Sequence, residues 1–488
     1  MRPPTSKLLR AWLSPVHVRQ QDGDTYLEFD ADGDGHVDYV QRLRGGYKDR
    51  LIFGGGVCGK VVERPAVVQD GRPVVFLLLD GVAFERIGGL YASGRFRLFR
   101  PPARVISVFP TLTDPAYDLL FRTGPTPGFE PGYFDRGRNR STGAIWDYLR
   151  GANEAWVRFT DYRLRFIEDA VMYLLPRWVF ALELRRARRV VDDRLRAGRQ
   201  RVAIYLLSTD GLGHMLEASE IDRELLRLDE WIERLVYDYR GLLELVLVSD
   251  HGLSQLPPEQ APVRRFNLHK ILRDNGLRMQ ARLRRPGDVV LPQFGLLDVA
   301  RVHTFDEETR EKVVETLRAR PEVEFVAARD AQCVRVYRGS QVAVVSARGG
   351  AKGDLLYSYH AESGDPLELA GAVAQLREAG LMSADGHATA AAWLRATAGL
   401  PFPSAPQRLW QAFFVVSREQ PDVIVCLTKC WYVGSGLLSG FVKMWGTHGG
   451  LHRRASETFA MATNVDFPAV MDLDLLRCQL REWFGWPA

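Results

Sequence analysis

The chain has 488 residues, of which 46% are hydrophobic and 26% are charged, a composition typical of a soluble globular protein. Lys and Arg together number 65 and Asp and Glu number 60, so the net charge is only +5. This small excess, without a basic block beside aromatic residues, argues against a nucleic-acid-binding patch. The five cysteines are scattered and odd in number, which argues against a disulfide framework.

Residues 1–70 are predicted to form an N-terminal extension. Its first residues lack the apolar core of a signal peptide, so we expect a cytoplasmic protein, although an extracytoplasmic location stays open. Within the extension, DADGDGHVD resembles the calcium loop of an EF-hand. The aspartates at its ligand positions are Asp30, Asp32, Asp34 and Asp38. Position 12 is Gln41 instead of a bidentate Glu, so Ca2+ binding and a solvated acidic turn are both open.

Apolar runs farther along the chain predict the strands of one sheet. They are RPVVFLLLD (72–80), ARVISVFP (103–110), RVAIYLLSTD (201–210), LLELVLVSD (242–250) and PDVIVCLT (421–428). The runs are continuous, not alternating, which is typical of strands buried on both faces of a parallel sheet. Helical patterns lie between them. The fold class is therefore predicted as α/β, a three-layer α/β/α sandwich with a mostly parallel central sheet.

The predicted core has two parts, 71–262 and 421–488, separated by the stretch 263–420. This stretch combines a helical pattern with short strands, and we interpret it as an inserted α+β cap. The most apolar helical pattern of the core, 166–189, carries too many charged residues for a membrane span. Packing on the core is favoured for it, while peripheral membrane contact and a position over a pocket stay open.

Acidic residues end three of the predicted strands: Asp80, Asp210 and Asp250. In parallel α/β sheets, ligands bind at the carboxyl ends of the strands, so these aspartates are expected to lie on one edge. Histidines and threonines follow the same strands or lie downstream: Thr111, Thr113, His214, His251 and His448. Several carboxylates can crowd together only around a positive charge, and carboxylate with imidazole suits zinc and similar divalent ions. Two such ions would use about six ligands and could promote phosphoryl transfer.

The ordered motifs LLLDGV, FPTLTDP, TDGLGH, VSDHG and GTHGG resemble the alkaline phosphatase superfamily, and within it the type I phosphodiesterase/nucleotide pyrophosphatase branch. The resemblance implies two Zn2+ ions and a phosphothreonine intermediate, with Thr113 as the nucleophile and Thr111 in support. One ion would bind Asp80, Asp250 and His251 and touch Thr113. The other would bind Asp210, His214 and His448. Asn139 or Arg136 is the candidate phosphate contact.

The expected function is a metal-dependent phosphohydrolase that cleaves phosphodiester or pyrophosphate bonds in a small phosphorylated substrate. A phosphomonoesterase or phosphonate hydrolase could use the same site, because the motifs do not indicate which leaving group is released. The alternative that is not an enzyme is a binding protein that keeps the fold and the metal ions but does not catalyse a reaction. The natural substrate and the oligomeric state stay open.

Overall fold

The computed structural model describes residues 15–30, 35–37, 39–44, 47–53, 61–63, 72–143, 155–164, 171–239, 243–293, 295–350, 354–434 and 443–486. The described α-helices are Phe84–Ala92, Thr113–Phe121, Pro176–Arg196, Ser208–Met215, Ala218–Asp238, Leu268–Asp274, Glu307–Arg318, Ala370–Glu378, Ala390–Thr397, Ala405–Phe414, Arg453–Ser456 and Leu473–Phe484. Among these helices, none is both long and apolar enough to cross a membrane.

The central sheet has six described strands and is mostly parallel. In spatial order they are Arg201–Leu206, Val74–Leu79, Glu244–Ser249, Glu457–Ala462, Ala103–Ile106 and Val470–Asp472. The strand Glu457–Ala462 runs antiparallel to both of its neighbours, and the other pairs are parallel. The sheet is therefore the one that the apolar runs at 72–80, 103–110, 201–210 and 242–250 predict.

Helices cover both faces of the central sheet. Val75, Leu77 and Leu79 point to a core shared with the helices Pro176–Arg196 and Ala218–Asp238. Val74, Phe76 and Leu78 point to the opposite core, shared with the helices Thr113–Phe121 and Leu473–Phe484. Alternate side chains of one strand thus enter two cores, which explains why the run is apolar at every position. The predicted three-layer α/β/α architecture is confirmed.

A second, larger sheet follows and is almost entirely antiparallel. In spatial order its strands are Arg278–Met279, Asp288–Val290, Val299–Thr304, Val423–Leu427, Val323–Asp330, Cys333–Arg338, Gln341–Gly349, Leu355–Ser363 and His387–Thr389. With its helices it forms the α+β insertion that the sequence predicts. Short two-stranded ribbons complete the described strands outside the N-terminal region: Gly132–Asp135 with Arg140–Gly143, Ser254–Gln255 with Gly446–Thr447, and Arg264–Arg265 with Trp431–Tyr432.

The assignment of the run at 421–428 to the central sheet is wrong. Val423–Leu427 lies inside the second sheet, antiparallel to Val299–Thr304 and Val323–Asp330. Its side chains alternate between two apolar clusters of the insertion, so it too is buried on both faces. A continuous apolar run reports burial on both faces but not the sheet to which the strand belongs. The strand that returns to the central sheet is Glu457–Ala462.

The N-terminal region contains a separate antiparallel sheet. Its strands are His17–Gln21, Asp24–Phe29, Tyr39–Arg44, Tyr47–Phe53 and Val61–Glu63. Asp30 is buried and its carboxylate accepts a hydrogen bond of 2.8 Å from the backbone N–H of Gly35. The other proposed calcium ligands, Asp32, Asp34 and Asp38, lie outside the described residues. Calcium binding therefore stays a prediction.

Candidate metal centre and nucleophile

Two of the three predicted aspartates lie where parallel strands end. Asp80 follows the strand Val74–Leu79, and Asp250 follows its parallel neighbour Glu244–Ser249. Asp210 differs from the prediction, because its strand ends at Leu206 and Asp210 lies in the first turn of the helix Ser208–Met215. We call this helix the metal helix. It places His214 one turn after Asp210, so that both side chains lie on the same face.

The six predicted ligands form two groups of three. Asp80, Asp250 and His251 form one group, and the ligand atoms of the three side chains lie within 4.8 Å of one another. The other group meets the same criterion and consists of Asp210, His214 and His448. All six residues are buried. The structure thus brings together the ligand sets that the resemblance implies, with the same division into two.

Each histidine of the cluster is anchored by one ring nitrogen. His214 Nδ1 lies 2.8 Å from the carbonyl oxygen of Gly446, His251 Nδ1 lies 2.9 Å from that of Gly252, and His448 Nδ1 lies 2.8 Å from that of Thr111. A carbonyl can only accept, so each Nδ1 carries the proton and donates it. In the neutral rings of His251 and His448, Nε2 is then left with a free lone pair, which is the state that a metal ligand requires. Burial opposes the charged form of His214, but the Asp210 carboxylate outweighs it and raises the pKa of His214, so a metal ion would have to displace the Nε2 proton of this ring.

The three Nε2 atoms point at the carboxylates. His214 Nε2 and His448 Nε2 lie 3.3 and 3.5 Å from Asp210 Oδ1. His251 Nε2 lies 3.4 Å from Asp80 Oδ1 and 3.5 Å from Asp250 Oδ2. The rings of His251 and His448 stack with their centroids 4.1 Å apart, so the two groups are neighbours.

Burial and mutual repulsion disfavour negative charge on two of the three carboxyl groups of the cluster. Burial raises the pKa of Asp80 well above its ordinary value, and the charges of Asp250 and Asp210 raise it further. Burial raises the pKa of Asp250 to about 7. Burial also lowers the pKa of His251 to about 4 and that of His448 to about 3, which leaves both rings neutral at neutral pH. Neutral imidazoles beside crowded carboxylates are a donor set that divalent cations satisfy.

Two buried carboxylate oxygens support the same interpretation. Asp210 Oδ1 and Asp250 Oδ2 accept no hydrogen bond from the part of the chain that the structure describes. Buried polar atoms normally have a partner, so each group contains an oxygen with free coordination capacity. Burial opposes ionisation of Asp210, but His214 and His448 outweigh it and hold the pKa of Asp210 below its ordinary value. The residues present therefore fit two divalent ions.

Thr113 lies against the first of the two groups. Its hydroxyl is 3.2 and 3.3 Å from the carboxylate oxygens of Asp80 and 3.4 Å from His251 Nε2. Thr113 is also the first residue of the helix Thr113–Phe121. The unpaired N–H groups at a helix N-terminus favour negative charge there.

Thr111 connects the turn before Thr113 to the loop that carries His448. Its hydroxyl accepts a hydrogen bond of 2.8 Å from the N–H of Gly449, and its own N–H donates to the carbonyl of the same glycine at 3.0 Å. Gly449 has a φ of 118°, and a Cβ atom there would lie 2.6 Å from a methyl group of Val299. The GTHGG loop therefore needs glycine at this position, and the supporting role predicted for Thr111 agrees with these contacts.

Several residues around the cluster have supporting roles that were not predicted. Asp298, at the start of a strand of the second sheet, accepts a hydrogen bond of 2.6 Å from the N–H of Gly450 and donates its own N–H to the carbonyl of His448. The Tyr205 hydroxyl donates to the Asp80 carboxylate, and the Thr209 hydroxyl donates to the Asp80 carbonyl at 2.7 Å. Thr209 is the first residue of the TDGLGH motif and Tyr205 precedes it by four residues, so proximity in sequence was an available signal for both, whereas Asp298 had none.

The candidate phosphate contacts are engaged elsewhere. The Asn139 side chain accepts from the N–H of Leu283 at 2.9 Å and donates to the carbonyl of Leu283 at 2.7 Å. The Arg136 guanidinium pairs with Asp422 at 2.5 Å. Each of these contacts joins the ribbon that carries Asn139 and Arg136 to the insertion. The phosphate role of either residue stays a prediction, and these contacts do not support it.

The carboxyl group of Asp118, near the nucleophile, is expected to make the stability of the fold depend on pH. Burial raises the pKa of its carboxyl to about 7, against the opposing hydrogen bond from the Thr123 hydroxyl. Because the folded-state pKa is the higher one, folding favours the protonated acid, and stability is lost as pH rises from about 4 through about 7. We expect Asp118→Asn to raise the urea midpoint, with a gain that is larger at about pH 8 than at about pH 5. The control is Asp274→Asn at an exposed aspartate, and a gain independent of pH would contradict the interpretation.

Comparison with known proteins identifies the family. The family model named "Type I phosphodiesterase / nucleotide pyrophosphatase" matches residues 103–367, more than half of the chain. No curated protein matches the chain. Among solved structures, human ectonucleotide pyrophosphatase/phosphodiesterase 5 is 13% identical, with a TM-score of 0.44 over 85% of this chain and 95% of that chain. Phosphonoacetate hydrolase from Sinorhizobium meliloti 1021, in complex with phosphonoacetate, is 12% identical, with a TM-score of 0.45 over 86% of this chain and 97% of that chain.

The family match covers the turn that leads to Thr113, the metal helix, and the motif that carries Asp250 and His251. These segments place four of the six ligands, and the structure adds Asp80 and His448 from either side of the matched range. The chain therefore belongs to the type I phosphodiesterase/nucleotide pyrophosphatase family of metal-dependent hydrolases within the alkaline phosphatase superfamily.

Proposed function

We propose that this hydrolase cleaves phosphodiester or pyrophosphate bonds in a small phosphorylated substrate, with Thr113 as the nucleophile and Zn2+ bound at each ligand group. The observation that carries the proposal is the position of the Thr113 hydroxyl, within 3.4 Å of both Asp80 and His251. A binding protein without catalysis would have no need for a hydroxyl in this position. The mixed nitrogen and oxygen donor set is one that zinc prefers.

The residues of the chain divide the work of the reaction. Asp80 accepts the hydrogen bond of the Thr113 hydroxyl and orients its oxygen. That oxygen attacks phosphorus as it loses its proton to solvent. The new P–O bond forms as the bond to the leaving oxygen breaks, and the leaving oxygen takes up a proton. Water then attacks the phosphothreonine, the bond between phosphorus and the Thr113 oxygen breaks, and a proton from the water restores the hydroxyl. The positive end of the helix that begins at Thr113 favours the negative charge of the phosphoryl group on this residue.

The bound ions would lower the pKa of the Thr113 hydroxyl and stabilise negative charge on the phosphoryl and leaving oxygens. Other residues of the chain orient the ligands of both groups. The carbonyl groups of Gly252 and Thr111 orient His251 and His448, and burial keeps both rings neutral. Asp298 and Thr111 hold the loop of His448 from two sides, so the second group keeps its shape.

The test of the proposal compares two substrates side by side. Zinc-reconstituted protein is assayed with a p-nitrophenyl phosphodiester and with the matching monoester. We expect kcat/KM for the diester to exceed that for the monoester by at least about tenfold, or ~1.4 kcal/mol of transition-state stabilisation. A preference for the monoester would move the protein to the phosphatases of the superfamily.

The remaining alternatives give different results. Cleavage of a phosphonate probe without cleavage of either ester would indicate a phosphonate hydrolase. Two bound metal ions with no turnover of any probe would favour the binding protein. Each of these outcomes contradicts the proposed bond specificity or the proposed catalysis.

A further inference from the structure

The arginine-rich helix Pro176–Arg196 has an apolar tip that is exposed to solvent. Leu174 is 66% exposed, Leu175 55% and Trp178 54%, and they are three of the four most exposed large hydrophobic side chains in the described part of the chain. They lie within five consecutive residues. Large apolar side chains clustered on a surface mark a site of interaction with a protein or a membrane.

The helix packs in the core through its other face, and the apolar tip is not part of that contact. Phe180 and Leu184 pack in the core beneath the central sheet, and Val179 packs in a smaller cluster with Leu164 and Met172. This packing agrees with the prediction favoured for the segment. Trp178 lies on the opposite, outward face, followed by the exposed residues Arg185 and Arg189. The spacings of seven and four residues place these three side chains in one stripe about 16 Å long.

The two arginines of the stripe are available for a partner. Neither Arg185 nor Arg189 forms an ion pair with any residue that the structure describes, and Arg185 Nε donates only to the carbonyl of Ala181, at 3.2 Å. An apolar tip beside unpaired arginines complements a surface that is apolar inside and anionic outside. A bilayer of anionic phospholipids has these properties.

The helix Pro176–Arg196 and the residues just before it contact the metal helix. The buried carboxylate of Glu183 accepts hydrogen bonds from the N–H groups of Leu207 and Ser208, at 3.2 and 3.0 Å. Met172 packs so closely on Gly211 that a Cβ atom there would lie 2.2 Å from its side chain. The Tyr173 ring lies 6.1 Å from that of His214. A membrane held at the tip would therefore lie beside the metal centre.

We propose that Leu174, Leu175 and Trp178, together with Arg185 and Arg189, form a docking surface for an anionic phospholipid bilayer. The apolar side chains enter the interface, and the arginines contact lipid phosphates. A second copy of the chain is a poorer occupant, because a twofold dimer through this face would bring two arginine stripes into one interface. The docking surface does not depend on the reaction proposed for the metal centre.

The experiment is co-sedimentation of the full chain with vesicles of phosphatidylcholine, with and without phosphatidylserine. We expect binding to the vesicles that contain phosphatidylserine, weakened by salt. Leu174→Ser and Trp178→Ser should each reduce the partition coefficient about tenfold. Arg185→Gln and Arg189→Gln should each reduce it about fivefold, and only on the anionic vesicles.

Matched controls exist on the insertion. Leu381→Ser removes a leucine that is 49% exposed, and Arg377→Gln removes an exposed arginine. Both should bind vesicles like the wild type. Unchanged hydrolysis of a soluble phosphodiester, or an unchanged circular dichroism spectrum if the protein turns over no diester, shows that each docking-surface variant is folded.

Several results would overturn the proposal. Wild-type protein that does not sediment with the anionic vesicles has no such surface. Binding that survives Leu174→Ser and Trp178→Ser takes place elsewhere. A concentration-dependent dimer in light scattering that Trp178→Ser abolishes, without vesicle binding, would assign the surface to a second copy of the chain.

Discussion

Replacing Thr113 by alanine is expected to reduce kcat at least about 10³-fold while leaving the metal content unchanged. The reason is that the variant loses the oxygen that attacks phosphorus but keeps all six carboxylate and imidazole ligands. Thr113→Ser retains a hydroxyl at the same position and should stay within about tenfold of the wild type. The measurements are single-turnover kinetics on a phosphodiester and metal analysis of the same samples.

The alanine variant also separates the nucleophile from a structural role. Thr113 is only partly buried, and its side chain contacts Asp80 and His251 at the site instead of filling the core. We therefore expect Thr113→Ala to unfold at the same urea concentration as the wild type. An alanine variant that turns over at the wild-type rate would show that another group attacks phosphorus.

Replacing Asp210 by asparagine is expected to weaken metal binding at one of the two ligand groups. The carboxylate of Asp210 is the one anion of its ligand group and faces the Nε2 atoms of His214 and His448. An amide carries no charge and binds divalent ions weakly. We expect the metal content to fall from about two ions to about one ion per chain, and kcat/KM to fall at least about 100-fold.

The matched control for Asp210→Asn is Asp298→Asn. Asp298 is also buried and adjacent to the GTHGG loop, but it binds the N–H of Gly450 and lies outside both ligand groups. An asparagine side-chain oxygen can accept the same hydrogen bond, so this variant should keep about two ions. Two ions retained in Asp210→Asn, or one lost in Asp298→Asn, would show that the ligand group is assigned wrongly.

The candidate ligand residues could be predicted because strand ends are local features, and the resemblance supplied their division into two groups. Asp80 and Asp250 directly follow apolar runs, and His251 follows Asp250 in sequence. Parallel strands bring their carboxyl ends to one edge, so residues that are far apart in sequence converge there. The helix between Asp210 and His214 was not predicted, since two glycines in DGLGH are unusual inside a helix.

The run at 421–428 marks the limit of the same reasoning. Val423–Leu427 is as apolar and as completely buried as Val74–Leu79, although it belongs to an antiparallel sheet in the insertion. Both sheets have two covered faces, and burial on two faces produces the same sequence pattern in each. Pairing partners are set by contacts between distant segments, which local periodicity does not contain.

Asn139 shows that a residue's type and position in sequence do not determine its neighbours in the fold. An asparagine downstream of the nucleophile fits a phosphate contact by resemblance, but its amide bonds both backbone groups of Leu283 in the insertion. Asp298 is the reverse case, because it lies in the insertion and supports His448 through Gly450. Neither relation has a signal in the sequence between the motifs.

Local sequence patterns suffice to predict the α/β class, the mostly parallel central sheet and the candidate ligand residues, because apolar runs and strand-end motifs encode burial and sheet edges locally. The tertiary structure was needed to show which strand completes that sheet, how Asp298 and Tyr205 support the site, and which nitrogen of each histidine faces the carboxylates. It also placed Trp178, Arg185 and Arg189 on the outward face of a helix whose other face lies in the core. These properties arise from packing between segments far apart in the chain, and long-range packing leaves no periodic trace in the sequence.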